Sequence, residues 1–479
     1  MRWTAARLAH TWQRRFGTAR LVVVTNREPV LVEAENGTAS SARPASGVVN
    51  ALEPVLRACG GIWMARGSLT PTPSSLGLPY RYRRVQLPSP TDQRFNDRFA
   101  NNGLWPWCHQ METSVELRDE DWHAYLRTNV AFARAILAEV GTKPAVVWIH
   151  DYHFALLPRL LRTARPDLTV AQFWHIPWPR PETFRHCPWQ RDLLDGLCAN
   201  DLVGFQTPRD LDNFLALRAG EGTGGTAVGA FPISVDFIAF SRQAESAAVQ
   251  CEMERWRNAY RLWGKRLCLG IDRLDDTKGI PERLRAFAHF LQRSPDYRRQ
   301  VVFLQAGPAC RTHLERYRAV SERIARLVQE INAQYGDAEW QPIVFLPQHL
   351  SLVQLLALYR LADVCVVSAL CDGMNLVAKE YVAARTDERG VVLLSRFAGA
   401  AQELDQAMLI DPHDCAGFAT AFAAALSLSE TEVCQRMQRL RQQVEAQNIY
   451  RWAGEFLQTL SALQRRREVL SGGSSYGFL

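Results

Sequence analysis

Several features typical of membrane, secreted or nucleic-acid-binding proteins are missing from this chain of 479 residues. No apolar run approaches 18 residues, so no membrane-spanning helix is expected. Residues 1–19 form a basic, mildly amphipathic leader that lacks the continuous apolar segment of a secretory signal. No block of Lys and Arg stands out, although the formal net charge is +7. We therefore expect anionic small molecules as partners, and neither nucleic acid nor a membrane.

The pattern of cysteine and histidine residues excludes two further kinds of site. The 11 cysteines include no C-x-x-C pair, and Cys268 and Cys365 lie within apolar runs. Because disulfides are rare in the cytoplasm, this pattern predicts reduced thiols in a cytoplasmic protein. The 11 histidines lack an H-E-x-x-H motif and any clustered spacing, so no metal site is expected.

Two nucleotide-binding motifs are also missing. A G-x-x-x-x-G-K-[ST] sequence, which holds the phosphates of nucleoside triphosphates, does not occur. No G-x-G-x-x-G sequence follows the first predicted strand, which argues against a nicotinamide enzyme. We expect no cofactor.

The chain does contain buried strands that alternate with longer helical patterns, which is typical of parallel sheets covered on both faces. Two such sets, over residues 20–235 and 236–450, predict an α/β chain with two doubly wound domains. The leader over 1–19 precedes them, and a C-terminal helix with a flexible tail over 451–479 follows. The predicted strands cover residues 21–26, 146–151, 168–175, 201–207, 266–272, 300–307, 342–347, 362–369 and 390–395.

One strand end carries two cations. In open parallel sheets, ligands bind beyond the carboxyl ends of the strands, so polar residues there are the first candidates for a site. Arg273 follows one strand directly, and Lys278 follows within the next turn. Such a pair suits a diphosphate and the charge that grows on a leaving phosphate. The alternative is a solvated turn in which Asp275 and Asp276 pair with these cations.

A second candidate begins at Asp372, after another buried strand, and opens a predicted helix. The exposed N–H groups of residues 374–377 suit an anion because the helix dipole adds to their attraction. Glu380 lies about two turns further on, where its carboxylate could accept two ribose hydroxyls. The alternative is an Asp N-cap that begins an ordinary helix.

Three further segments give weaker signals. Residues 150–153 place four hydrogen-bonding groups at one strand end, where Asp151 suits sugar hydroxyls or a proton, although a capped turn explains them equally well. Arg311 adds a third cation after a later strand. The segment over 44–47 suits close approach to a phosphate at Gly47, but a plain loop is the simpler interpretation.

Seven segments occur in one order along the chain, from about residue 20 to 455: VTNR (24–27), LWP (104–106), WIHDYH (148–153), WHIP (174–177), DRLD (272–275), TKGIP (277–281) and DGMNLVAKEYV (372–382). They resemble the trehalose-6-phosphate synthase family. The resemblance implies a GT-B architecture, in which two Rossmann-like domains face each other across a cleft. It also implies a retaining, metal-independent transfer of glucose from UDP-glucose to glucose 6-phosphate, which yields trehalose 6-phosphate and UDP. The N-terminal domain would bind the acceptor and the C-terminal domain the nucleotide-sugar donor.

The resemblance assigns donor contacts by position. Arg273 and Lys278 would hold the diphosphate with help from helix-start N–H groups, and further residues would contact the ribose, the glucose or the donor phosphate. The N–H groups are those of Asn375, Leu376 and Val377, and Glu380 would contact the ribose. Asp372 and His175 would contact the donor glucose, and Gly47 would lie near the donor phosphate.

It assigns acceptor contacts in the same way. Arg27 and Arg311 would hold the acceptor phosphate beside Trp105, and Asp151 would hold the acceptor hydroxyls. The leaving phosphate would take the acceptor's proton on one face of the sugar, so positioned charge replaces a metal and a nucleophile. The residues expected to be catalytic are Asp151, His175, Arg273, Lys278 and Asp372.

Several positions depart from the family. Phe95 stands where the family usually has a Tyr that touches the acceptor phosphate, and Arg66 stands where it has a Trp. Arg66 could restore the contact that Phe95 loses, and both are therefore included among the acceptor-site residues. The remaining departures are Ser46, Asp276 and Cys371.

These departures keep other functions open. The acceptor could be glycerol 3-phosphate or a cyclitol phosphate, or the chain could be a non-catalytic paralogue that binds sugar phosphates. Another GT-B-like enzyme, such as a sugar-nucleotide epimerase, is a further alternative. The sequence is compatible with a homo-oligomer.

Overall fold

The computed structural model describes residues 2–35, 38–42, 47–67, 77–111, 116–219, 225–311 and 313–472. The chain divides into two compact units. Unit 1 comprises Met1–Ile233 together with Ile449–Leu479, and unit 2 comprises Ser234–Asn448.

Unit 1 is built on a parallel sheet. Its strands are β1 (Arg20–Thr25), β2 (Leu31–Glu35), β3 (Thr38–Ala42), β4 (Ile62–Arg66), β5 (Arg81–Val85), β6 (Ala145–His150), β7 (Thr169–Phe173), β8 (Leu202–Phe205) and β9 (Ala227–Ala230). Seven of them form the parallel sheet in the order β5-β4-β1-β6-β7-β8-β9, and β2 and β3 form a separate antiparallel pair.

Helices alternate with these strands along the chain. In the described part of unit 1 that precedes unit 2 they are α1 (Ala5–Phe16), α2 (Gly47–Cys59), α3 (Ser89–Gln93), α4 (Trp105–Cys108), α5 (Asp119–Val140), α6 (Leu157–Ala164), α7 (Pro181–Phe184), α8 (Gln190–Leu197) and α9 (Pro208–Arg218). A π-helix, Arg94–Leu104, joins α3 to α4, and a 3₁₀ turn, Tyr152–Phe154, follows β6.

Unit 2 repeats the design. Its strands are β10 (Arg266–Ile271), β11 (Val301–Ala306), β12 (Ile343–Leu346), β13 (Val364–Val367), β14 (Val391–Ser395) and β15 (Met408–Ile410). They form one parallel sheet in the order β12-β11-β10-β13-β14-β15, which is that of dinucleotide-binding folds. The helices are α10 (Phe237–Ala244), α11 (Ala247–Ala259), α12 (Ile280–Arg293), α13 (Glu315–Tyr335), α14 (Leu352–Leu361), α15 (Leu376–Ala384), α16 (Cys415–Ser427) and α17 (Glu430–Ala446), with 3₁₀ turns at Asp276–Lys278, Pro295–Tyr297 and Gly399–Gln402.

The first and last described helices both belong to unit 1. The last helix, α18 (Ile449–Gly472), packs against α1. Leu8 and Trp12, one turn apart on α1, are buried, so the basic leader is an amphipathic helix of this unit. Trp452 and Phe456 of α18 place their rings 5.1 Å and 4.7 Å from that of Trp148 in β6. None of the described helices is long and apolar enough to cross a membrane.

The central strands explain why the sheets are parallel and buried. β1 and β6 pair Val22 with Val147 and Val24 with Ile149, and all four side chains are completely buried. Apolar side chains on both faces of a strand need cover on both faces, which the flanking helices provide. All nine strands predicted from the sequence are confirmed.

The predicted site residues lie where the strand order reverses. β1 lies between β4 and β6, and β10 lies between β11 and β13. In open parallel sheets, the carboxyl ends of the strands at such a point form the ligand-binding crevice. Arg27 and Asp151 follow β1 and β6, whereas Arg273 and Asp372 follow β10 and β13.

Candidate functional site

The turn after β10 is held in a single conformation by local bonds. The Asp275 side chain accepts hydrogen bonds from the backbone N–H (3.0 Å) and the hydroxyl (2.9 Å) of Thr277. Gly279 follows with a φ of +60°, and a Cβ there would clash with the carbonyl of Ser368. The turn therefore packs directly against the end of β13.

The turn after β10 is largely buried, which argues against the alternative of a solvated turn. Asp275 is fully buried, and Asp276 pairs with Arg316 of α13, whose Nη2 donates to it over 2.9 Å. The side chain of Lys278 is only 12% exposed and forms an ion pair with Asp372. Burial opposes its charge, but Asp372, Asp272 and Asp275 together raise the pKa of Lys278, so the ammonium stays protonated.

Three cations surround Asp275, and with it and Asp372 they form what we call the unit 2 cluster (Arg273, Asp275, Lys278, Arg311, Asp372). Burial favours a raised pKa for Asp275, but the charges of Arg273, Lys278 and Arg311 bring the pKa below its ordinary value. The Arg311 guanidinium lies 5.1 Å from the ring centroid of Tyr317. The structure thus brings all three predicted cations together in one unit, including Arg311, which the resemblance assigned to the acceptor.

Asp372 does not act as an ordinary N-cap. The N-cap of α15 is Asn375, which has a left-handed backbone with φ of 67° and donates its side-chain amide to Asp372 over 3.2 Å. The Asp372 carboxylate is therefore used by Lys278 and Asn375. Leu376 and Val377 are half-buried in the first turn of α15, where helix N–H groups lack intrahelical acceptors.

Glu380 lies one turn into the same helix and is nearly buried. It accepts a hydrogen bond of 2.8 Å from the hydroxyl of Tyr359. Burial raises the pKa of Glu380, although the Tyr359 bond works in the opposite direction. Its neighbour Lys379 pairs with Glu403.

Two supporting residues of unit 2 escaped the sequence analysis. Tyr359 comes from α14, and Arg283 comes from α12, where it forms an ion pair of 2.5 Å with Asp272. Neither lies in a motif, because each acts on a partner that is distant in sequence or on a different element. A charged residue on an otherwise apolar helix face was the one available signal for Arg283.

In unit 1, the end of β1 is tied to the π-helix. Arg66 donates from Nε to Asn26 over 3.1 Å and from Nη1 to both oxygens of Asp92 over 2.7 Å. Asn26 in turn donates to the Asn96 side chain over 3.0 Å. The guanidinium of Arg66 is therefore engaged with protein groups beside Arg27.

The aromatic residues expected near the acceptor are placed differently from one another. Phe95 is fully buried, with its ring 5.9 Å from Tyr125 and 6.2 Å from His153. The Phe95 ring thus has no exposed surface in this structure, and its place in the acceptor site stays a prediction. Trp105 is 7% exposed and stacks on His109, with ring centroids 4.0 Å apart.

Asp151 has a strained backbone. Its φ of 72° lies in the left-handed region, which is costly for a residue other than glycine. Its carboxylate accepts a hydrogen bond of 3.3 Å from the backbone N–H of His175. Burial raises the pKa of Asp151 to about 7, although backbone N–H groups and the charge of Arg27 oppose the shift. The carboxyl group thus titrates near neutral pH.

Two histidines lie beside this carboxylate. A ring nitrogen of His150 and one of His175 are 3.0 Å apart, so one ring donates to the other. Burial lowers the pKa of His175 to about 3 and holds the pKa of His150 well below its usual range. Both rings are neutral at physiological pH. We call Arg27, His150, Asp151 and His175 the unit 1 cluster.

The remaining predicted positions carry less information. Gly47 begins α2 and is exposed, whereas Ser46 lies outside the described residues. Over the described ranges, no group of three or more His, Cys, Asp or Glu side chains is arranged to hold a metal ion.

The chain is similar to known proteins over most of its length. Residues 19–462 match glycosyltransferase family 20. The trehalose-6-phosphate synthase of Mycolicibacterium smegmatis is 38% identical over 474 residues, which cover 93% of each chain. The bifunctional trehalose-6-phosphate synthase/phosphatase of Thermoproteus tenax is 35% identical over 488 residues, which cover 95% of this chain and 65% of that relative.

Solved structures agree with these matches. An E. coli structure bound with UDP-2-fluoro glucose has a TM-score of 0.84 and 29% identity, and the match covers 92% of this chain and 99% of that one. An alpha,alpha-trehalose-phosphate synthase (UDP-forming) from Burkholderia xenovorans, in complex with glucose-6-phosphate, has a TM-score of 0.85 and 31% identity over 92% of this chain and all of that one.

Proposed function

Because the chain belongs to glycosyltransferase family 20, we propose that it transfers glucose from UDP-glucose to glucose 6-phosphate with retention, forming trehalose 6-phosphate and UDP. The observation that carries this function is the match of residues 19–462 to the family, together with relatives that cover 93% of the chain. The unit 2 cluster adds the charge that a diphosphate requires.

On the donor side, we assign the diphosphate to Arg273 and Lys278. Both belong to a group of cations that lowers the pKa of buried Asp275, so their positive charge is concentrated at one strand end. The N–H groups of Asn375, Leu376 and Val377 supply further donors to the anion. Glu380, whose carboxylate also accepts a hydrogen bond from Tyr359, accepts the ribose hydroxyls.

The glucose of the donor is assigned to Asp372 and His175, and Gly47 is assigned to the loop near the donor phosphate. A carboxylate accepts hydrogen bonds from sugar hydroxyls, and a neutral imidazole both donates and accepts one. The low pKa of His175, about 3, keeps its ring neutral and suits that contact.

On the acceptor side, Arg27 and Arg311 hold the phosphate beside Trp105, and Asp151 holds the hydroxyls. Arg27 lies close enough to Asp151 to lower the pKa of its carboxyl group. A cation and a hydrogen-bond acceptor side by side suit the phosphate and the hydroxyl groups of one sugar phosphate.

In the proposed reaction, the bond between the anomeric carbon and the phosphate oxygen of UDP breaks, and a bond to the acceptor hydroxyl forms on the same face. The acceptor's proton passes to the leaving phosphate, so UDP carries it away. Arg273 and Lys278 stabilise the charge that develops on that phosphate. The residues proposed as catalytic are Arg273, Lys278, Asp372, His175 and Asp151.

The contacts of Arg66 and the burial of Phe95 argue against a different phosphorylated acceptor. Its Nε and Nη1 atoms bond to Asn26 and Asp92, and Phe95 is buried. Because both residues are engaged within the protein, they give no support to another phosphorylated acceptor, and we keep glucose 6-phosphate as the proposed one. We propose that Arg66 acts on the acceptor indirectly, through the end of β1.

We also propose a cytoplasmic location. All 11 cysteines are free thiols, as expected in a reducing compartment.

The test is a matrix of donors and acceptors. Purified protein is incubated with UDP-, ADP- or GDP-glucose against glucose 6-phosphate or glycerol 3-phosphate, and nucleotide release is followed. We expect release with UDP-glucose and glucose 6-phosphate and a product with the mass of trehalose 6-phosphate. Release with glycerol 3-phosphate alone would overturn the acceptor, and no release with any pair would overturn the enzyme assignment.

A further inference from the structure

Arg283 is a fully buried arginine in the first turn of α12, among the largest side chains without exposure in the described residues. Its Nη2 donates to the Asp272 carboxylate over 2.5 Å and to the carbonyl of Lys278 over 3.1 Å. Its Nε donates to the hydroxyl of Ser368 over 2.7 Å, and its Nη1 donates to the side chain of Gln305 over 3.2 Å. One guanidinium thus contacts β11 and the ends of β10 and β13.

The sheet is shaped to admit this side chain. Gly270 lies in the middle of the sheet in β10, and a Cβ at this position would clash with Nη1 of Arg283 and approach the Gln305 side-chain oxygen to 2.6 Å. Glycine weakens a strand interior, so its presence there marks the close approach of another group. The space for the guanidinium is therefore built into the strand.

The bonds of Arg283 converge on Lys278. The Ser368 hydroxyl that Arg283 contacts also lies 3.0 Å from the Lys278 carbonyl and 2.9 Å from the Gly279 carbonyl. Backbone position and direction are thus fixed at the residue that carries the ammonium group. Lys278 extends from this anchored backbone to Asp372.

Arg283 also affects the charge of Asp272, a carboxylate that acts on the Lys278 ammonium group. Burial raises the pKa of Asp272, whereas Arg283 and Lys278 oppose that shift and Asp372 adds to it. The pKa values of Tyr359 of α14 and Cys365 of β13 also respond to Asp272. Without Arg283, a buried carboxylate would lose its closest counter-charge and take up a proton more readily.

We propose that Arg283 is a positioning residue for the donor diphosphate: it holds the Lys278 backbone and pairs with the Asp272 carboxylate, so that the Lys278 ammonium is presented at one place. This inference rests on the proposed function, in which Lys278 binds the diphosphate. Arg283 touches no substrate in this account and acts through Lys278 and Asp272.

The experiment compares Arg283→Met and Arg283→Lys with the wild-type protein. UDP affinity is measured by calorimetry from pH 5 to 9, a readout to which Asp151, assigned to the acceptor, does not contribute. For Arg283→Met we expect UDP affinity to fall at least tenfold at pH 8, and this loss to grow toward pH 5 as Asp272 takes up a proton. Arg283→Lys keeps a cation beside Asp272, so we expect weaker UDP binding with the same loss at every pH.

Arg385→Met is the matched control. Arg385 is also buried in unit 2, but its bonds go to the carbonyls of Tyr359, Arg360 and Ala362 and to Asp387. Its loss tests general damage to the unit, and we expect less than a threefold change in UDP affinity at every pH.

Two results would overturn the positioning role: equal losses of UDP affinity in Arg283→Met and Arg385→Met, or a loss in Arg283→Met that does not depend on pH. Failure of the proposed function would look different, because the wild-type protein itself would then neither bind UDP nor release it from UDP-glucose. If Arg283→Met does not fold, as judged by circular dichroism, the Arg283→Lys variant alone decides. Unchanged UDP affinity in that variant would also overturn the role.

Discussion

The two clusters occupy equivalent places in their sheets but differ in electrostatic character. In the unit 2 cluster, three cations lower the pKa of Asp275, and Lys278 is paired with Asp372. In the unit 1 cluster, the pKa of His175 falls to about 3 and that of Asp151 rises to about 7. The same fold position therefore carries fixed charge in one unit and mostly neutral or titrating groups in the other.

The cause of this difference lies in the surroundings of each cluster. Acidic and basic residues of unit 2 lie close enough to keep one another charged in spite of burial. In unit 1, the paired histidines lie among aromatic rings, with Trp452 6.4 Å from His150 and Phe173 4.7 Å from His175. Burial without counter-charge favours the neutral form. Fixed charge suits a diphosphate, and neutral hydrogen-bonding groups suit a sugar.

The largest expected effect comes from removing charge in unit 2. Arg273→Ala should lower kcat/KM for UDP-glucose by roughly 10³-fold or more, because the leaving phosphate loses a preorganised cation. The measurement is UDP release at saturating glucose 6-phosphate, with circular dichroism to verify the fold. Arg285→Ala is the control, since Arg285 is 46% exposed and pairs with Glu282 on the surface of α12. Substantial turnover by Arg273→Ala would mean that the diphosphate is held elsewhere.

Removing the charge of Asp151 should have the next largest effect. Asp151→Asn should lower kcat/KM for glucose 6-phosphate by about 10²-fold, because an amide accepts the acceptor hydroxyls less well than a carboxylate. The carboxylate form predominates above a pKa of about 7, so wild-type activity should rise as the pH increases through 7. The variant should lack this rise. Asp167→Asn, a change at a largely exposed carboxylate, is the control and should keep the wild-type profile.

The raised pKa of Asp151 also predicts how the free energy of unfolding depends on pH. Its pKa is raised on folding from 3.8 to about 7, so the folded state binds the proton more tightly and stability is lost as the pH rises from about 4 to 7. The Asn variant has no such loss. Its free energy of unfolding at pH 8 should therefore exceed that of the wild type by about 4 kcal/mol, as measured by urea denaturation. An advantage that persists at pH 4 would point to another cause.

Glu380 tests how the protein binds the ribose of the donor. Glu380→Gln keeps an oxygen for the Tyr359 hydroxyl but loses one acceptor for the ribose. We expect UDP affinity to fall about tenfold, which is the size of one charged hydrogen bond. Calorimetry with UDP measures it, and Glu322→Gln on the exposed face of α13 is the control. Unchanged affinity would remove Glu380 from the donor site.

The smallest effect is expected at Arg66. Arg66→Gln should raise KM for glucose 6-phosphate only about threefold, since the loss of one hydrogen-bonded link to Asn26 costs roughly 0.5–1.5 kcal/mol. KM for UDP-glucose should not change. Initial rates with each substrate varied in turn measure both constants. A rise of 30-fold or more for glucose 6-phosphate would show that Arg66 contacts the acceptor phosphate directly.

The strands that the sequence predicted are those with continuous apolar runs, such as β1 and β10. It missed β2, β3, β4, β5, β9 and β15. Among these, β5 alternates exposed and half-buried residues at one edge of its sheet, and β15 has only three residues at an edge. An edge strand has one paired neighbour and needs less apolar surface, so its sequence lacks the signal of a buried strand.

The residues of the candidate site also divide into those that local sequence predicts and those whose contacts depend on tertiary packing. Arg273, Lys278 and Asp372 could be predicted because each lies in a short motif at a strand end. Phe95 was assigned to the acceptor by alignment, but its burial against Tyr125 depends on the packing of the π-helix on α5. The ties of Arg66 to Asp92 and of Glu380 to Tyr359 likewise join separate elements.

The sequence by itself determined two parallel-sheet units, the family and the residue types at the strand ends, because apolar runs and motifs are local properties of the chain. Only the tertiary structure decided the charge states and the supporting contacts. A pKa depends on burial and on charges that arrive from other elements, as at Asp151 and Lys278. The same holds for Arg283, whose role exists only once β10, β11 and β13 lie side by side.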